Sequence, residues 1–138
     1  MHNDHEERVE GVRKMALQFL AEAIGQCPAR LESSTNRDIV FAVLGFQYGA
    51  VQSAAYVAGL GEEAASGIVE AVVSRINGME KESALKFLEL MPMLAGKEYP
   101  PIGIGGRAII SFYNATSEGE KMSAAVSLQE ILRQIEES

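Results

Sequence analysis

Two histidines, His2 and His5, are the chain's only imidazoles. Histidine is the usual proton shuttle at neutral pH, because its unperturbed pKa lies at about 6.5. Both sit in the first five residues, where chain ends fray, so neither suits a triad or a preorganised base. With Asp4 and Glu6 they offer metal-binding atoms, but a structural metal site needs ligands that the fold holds in place. Di-iron bundles carry Glu-x-x-His on facing helices, and no such tetrapeptide occurs. The expectation is no catalytic residue, no metal and no cofactor.

The lone cysteine, Cys27, precedes Pro28 on the apolar side of an expected helix end. It reads as a small buried hydrophobe, since a reactive thiol wants a nearby cation and base. One cysteine allows no intrachain disulfide, which fits a reducing, cytoplasmic setting. The first residues lack a basic region followed by an apolar one, so they do not read as a secretory signal.

Carboxylates can do acid–base work without histidine. Glu63 and Glu70 are seven positions apart and share a helix face, with Glu62 adjacent. A catalytic pair would need a pocket and pKa values pushed apart. A solvated acidic face, or an acidic patch that meets a basic partner, asks for neither.

Gly103, Gly105, Gly106 and Arg107 lie in the stretch Gly-Ile-Gly-Gly-Arg-Ala, which matches G-x-G-x-x-A. Glycines leading into a helix can cradle a phosphate, and Arg107 adds charge. The dinucleotide fingerprint also needs a preceding strand and an acidic residue about twenty positions on. No strand is visible and Glu120 is too near. The stretch therefore reads first as a tight turn with close backbone packing, and second as an anion site.

Gly45 and Gly49 form a G-x-x-x-G, and Ala42 and Ser53 extend the small face. Glycine inside a helix costs roughly 0.5–1 kcal/mol relative to alanine. Such a stripe implies another backbone packed close, either inside the subunit or at a homodimer seam.

These residues need elements to hold them. The chain has 138 residues, a net charge of -7, 47% hydrophobic and 22% charged residues. That is a globular composition and the length of one domain. The acidic balance excludes a general phosphate-backbone binder, so no nucleic acid is expected. Apolar residues recur at helical spacing almost throughout. A first helix carries Val12, Ala16, Phe19, Leu20 and Ala23. A second spans about 36–58, without a charge after Asp38. A third runs from Glu62 to Asn77-Gly78, a fourth carries Leu85, Leu88 and Met91 and meets Pro92, and a fifth spans about Gly106 to Ala115. The last follows a Ser117/Glu120 capping box.

Residues 96–106, rich in Gly and Pro, read as a loop that bears Tyr99. Met91-Pro92-Met93 beside it suggests an adaptable apolar groove. At about 33 Å, residues 39–60 are long enough to cross a bilayer. Gln47, Gln52 and Ser53 near the midpoint favour a central buried helix over a membrane span. The expectation is a single all-α domain of five or six helices around that helix, with residues 1–5 frayed.

Small, acidic and helical, with no histidine in the body of the fold, the chain points to binding rather than catalysis. The leading expectation is a module that neutralises or escorts one protein partner, possibly basic, in the manner of immunity proteins and small acidic chaperones. Glu62, Glu63, Glu70 and Tyr99 would form the contact surface. Alternatives are a small-ligand or anion-binding protein or enzyme built on residues 103–107, and a subunit whose second helix builds an oligomer.

Overall fold

The structure is a computed structural model, and it describes residues 4–26 and 37–137. Cys27 and Pro28 lie outside the described residues. Among the described residues eight helical segments follow one another: α1 (Asp4–Gly25), α2 (Arg37–Val57), α3 (Glu62–Asn77), α4 (Lys81–Leu88), α5 (Met91–Gly96), α6 (Pro100–Asn114), α7 (Glu118–Ala125) and α8 (Ser127–Glu137). They pack as an all-α bundle around α2. The count exceeds six because two expected helices are each interrupted. The fourth breaks at Glu89-Leu90, just ahead of Pro92, which then sits in the first turn of α5. Proline is tolerated there because the first-turn N–H groups have no partner within the helix. The last helix breaks at Val126.

The long helices bury the stripes their spacing predicts, whereas in the short α4 Leu85 is exposed, Leu88 is half-buried and Ala84 is buried instead. Val12, Ala16, Phe19, Leu20 and Ala23 of α1 are buried, as are Ile68, Val69, Val72 and Val73 of α3 and Leu128, Ile131 and Leu132 of α8. Phe19, Phe46 and Phe112 tie α1, α2 and α6 together, with ring centroids 5.9 and 5.3 Å from Phe19. Burying each of these large side chains contributes about 1.5–3 kcal/mol. Phe41 meets Phe87 edge-on at 5.7 Å and anchors α4 to α2. The segment Asp38–Val57 is long and apolar enough to span a membrane, and 56% of it is buried inside the bundle.

The loop expected over residues 96–106 is not one. Residues 100–106 form the first half of α6, and only 97–99 separate it from α5. Local signals mislead because they omit the partner. Tyr99 lies over Gly45, Ile102 over Gly49 and Gly106 over Ser53, so contacts advance in the same direction along both helices. A methyl group on Gly49 would strike the Ile102 carbonyl, and one on Gly105 would strike the Phe46 carbonyl. The two backbones touch, and the burial gained there outweighs the glycine penalty of roughly 1 kcal/mol per residue.

Three helices end with the same closure. Leu60 N–H donates to Ala55 O, Met79 N–H to Ser74 O and Tyr99 N–H to Leu94 O, each at 3.0 Å. This six-to-one bond needs a left-handed residue just before the donor. Gly59 (φ 77°) and Gly78 (φ 62°) supply it without strain, whereas at the end of α5 the position is held by Glu98 (φ 57°).

The amino-terminal closure of α7 follows the capping pattern with one change. Ser117 Oγ accepts from Glu120 N–H at 3.2 Å. The Glu120 carboxylate reaches one residue further back, accepting from Thr116 N–H at 2.8 Å.

Candidate functional site

The acidic residues singled out by spacing sit on α3. Glu62 and Glu63 are exposed in its first turn, and Glu70 is half-buried two turns on. Negative charge suits this end of a helix, where unpaired N–H groups concentrate positive potential. No ion pair is formed by any of the three; among the described residues Arg13–Glu10 and Arg133–Glu130 are the pairs seen, both at 2.6 Å. The Arg13 hydrogen bond holds the Glu10 carboxyl below its ordinary pKa. Asp38 is also engaged.

Tyr99 stands apart from the α3 carboxylates. It caps α6 rather than occupying a loop tip, and its half-buried ring covers Gly45. Burial raises its pKa, and Asp38 adds to the rise. The tyrosine that feels the charge of Glu62 is instead Tyr48, one turn beyond Gly45. Burial pushes its phenol up as well, with Glu62 contributing. Sequence spacing gave no reason to choose Tyr48 over Tyr99.

Two further residues join this corner. Tyr56 is 84% exposed and Val57 is 69% exposed at the end of α2. A short turn through Gly59-Leu60-Gly61 leads straight to Glu62 and Glu63. The result is an aromatic and an aliphatic side chain in solvent, next to two carboxylates without ion-pair partners.

The small face is already occupied. Ala42 and Gly49 are buried, and Gly45, Gly49 and Ser53 meet Tyr99, Ile102 and Gly106 of α6 in the same chain. In this arrangement the face offers no surface to a second copy. Gly105 and Gly106 are likewise buried mid-helix. Their role is packing, and they do not form a cradle of free N–H groups. Arg107 points away from that contact and is exposed.

Among the described residues, no three His, Cys, Asp or Glu side chains are grouped to hold a metal. Open grooves among the described residues include two of note. One, of about 640 Å³, is lined by Ile24, Ile39, Val43 and Ile76, with Arg75 and Asn77 at its edge. Behind that edge Asn77 exchanges two hydrogen bonds with fully buried Gln47, at 2.6 and 3.3 Å. The other, of about 530 Å³, lies between α6 and α7–α8. Met93 is exposed while Met91 is fully buried, so the two methionines flanking Pro92 do not share a groove wall.

No family model, curated protein or solved structure matches the chain.

Proposed function

We propose that this protein is a non-enzymatic interaction module that binds one basic protein partner and escorts or neutralises it. The observation that supports this is the α2–α3 corner. Tyr56 and Val57 are the two most exposed of the large hydrophobic side chains among the described residues, and they are adjacent there. Tyrosine is among the residues that dominate protein interfaces, and it loses little entropy on binding. Glu62 and Glu63 flank it without ion pairs, so their charge is available to steer a cationic surface into place.

The test is a photo-crosslinking residue placed at Tyr56, with an exposed control at Gln129 of α8. The expected result is one protein captured from Tyr56 and not from Gln129. That protein, purified, binds the wild-type chain with an association rate that falls with salt. Glu62→Lys/Glu63→Lys slows association about tenfold or more while leaving the helical signal intact. The reading is lost if Tyr56 captures nothing that Gln129 does not, or if charge reversal leaves association unchanged.

A further inference from the structure

The groove between α6 and α7–α8 differs in character from the α2–α3 corner. Arg107, Ser111 and Asn114 line one wall at positions i, i+4 and i+7 of α6. That spacing sets them on one face, over a length of about 10 Å. Ser123 and Ser127 line the opposite wall, and Glu120 stands at the end where α6 turns into α7.

The charges within the groove are placed apart. Arg107 lies towards the Ile104 end. Its guanidinium lies back along α6 over Gly103, where a Cβ would stand 3.3 Å from a guanidinium nitrogen. It has no hydrogen-bond or ion-pair partner among the described residues. An arginine held this way offers several unused N–H donors in a planar fork, which matches phosphate oxygens. At the far end, Glu120 Oε2 is engaged by Thr116 at 2.8 and 3.2 Å. Its Oε1 remains to accept from a hydroxyl. Between the ends, serine hydroxyls and the Asn114 amide donate and accept in either sense. Ile104 and Ala108 give the floor apolar patches that suit C–H groups.

We propose that this groove binds a small sugar phosphate. The phosphate is held by Arg107 with help from Ser111, and the sugar hydroxyls by Asn114, Ser123 and Glu120, while the Ser127 hydroxyl donates to the Ser123 carbonyl. One cation at one end, hydrogen-bonding groups along about 10 Å and a single acceptor at the other end fit a phosphorylated polyol better than other anions. A free inorganic phosphate would leave the Asn114 and Glu120 end unused. A long acyl chain would bury polar groups without partners, which is unfavourable. The volume of about 530 Å³ lies in the range of small-molecule sites.

The experiment is isothermal titration of the full chain with glucose 6-phosphate, fructose 6-phosphate and ribose 5-phosphate, and separately with glucose and inorganic phosphate. At least one sugar phosphate should bind, and it should bind more tightly than either glucose or phosphate. Arg107→Gln should weaken that binding about tenfold or more, the loss expected for one charge-assisted contact. Because Arg107 is exposed and unpartnered, its replacement should leave the thermal midpoint unchanged. Ser123→Leu, which fills the groove from the other wall, should abolish binding independently. The proposal is overturned if none of the three sugar phosphates binds, if inorganic phosphate binds as well as they do, or if Arg107→Gln binds like wild type.

Discussion

Gly49 of α2 lies against the main chain of α6 at Ile102, so closely that even a methyl group has no room. Gly67, midway along α3, is exposed and has nothing within 4 Å of an added methyl. These two helical glycines should therefore respond in opposite senses. Gly49→Ala should cost about 1–3 kcal/mol as the helices are forced apart. Gly67→Ala should raise stability by about 0.5–1 kcal/mol. Urea unfolding of the two variants measures both, and a neutral Gly49→Ala would show that the crossing is looser than described.

Glu98 occupies a left-handed position that glycine fills at the ends of α2 and α3. A side chain there costs about 1 kcal/mol. Glu98→Gly should raise stability by a similar amount, visible as a higher thermal midpoint. A fall would mean that the Glu98 side chain makes a compensating interaction.

Gln47 is fully buried, and its amide is matched by Asn77 across the α2–α3 interface. Asn77→Ala leaves that amide unpaired in the core, at a cost of about 1–3 kcal/mol. Gln47→Leu removes the other partner. The double variant should cost less than the sum of the two, with a coupling of about 0.5–3 kcal/mol. Strict additivity in a denaturation cycle would show that the pair acts as two independent groups.

Tyr48, Tyr99 and Tyr113 all have their phenol pKa raised, mainly by burial. Unfolded tyrosine ionises at about pH 10, so the unfolded chain loses these protons first. Their stabilising contribution is complete below about pH 10 and is lost as pH climbs through the raised native values. Tyr113 also donates to Met15 O at 2.6 Å, a bond that ionisation removes. Tyr113→Phe should lose about 1 kcal/mol at neutral pH. It should also show a shallower decline of stability above about pH 10, and an unchanged slope would exclude Tyr113 from the alkaline transition.

The helices that carry long apolar stripes were legible in the sequence. So were the stop at Asn77-Gly78 and the Ser117/Glu120 cap, because each signal is confined to one stretch of chain. Residues 100–106 were not legible. Their glycines and prolines describe a loop to any local reading, and only the presence of α2 makes them a helix. The Gly45/Gly49 stripe and the Gly103–Gly106 stretch each carried half of one contact, and nothing local joins the halves. The same holds for Gln47 and Asn77, thirty positions apart. Tyr56 lies one turn beyond Ser53 on the small face, yet it is 84% exposed. Nothing in its spacing singled it out as a surface residue.

The contact between α2 and α6 also constrains the order in which the chain can assemble. All of α3, α4 and α5 lies between its two halves, so closing it means bringing together distant parts of the chain, which slows folding. Until Ile102 to Gly106 leave the ribosome, the Gly45–Ser53 face of α2 has nothing to cover it. Amides of α2 and α6 should therefore gain protection together, in one late step of pulse-labelled hydrogen exchange.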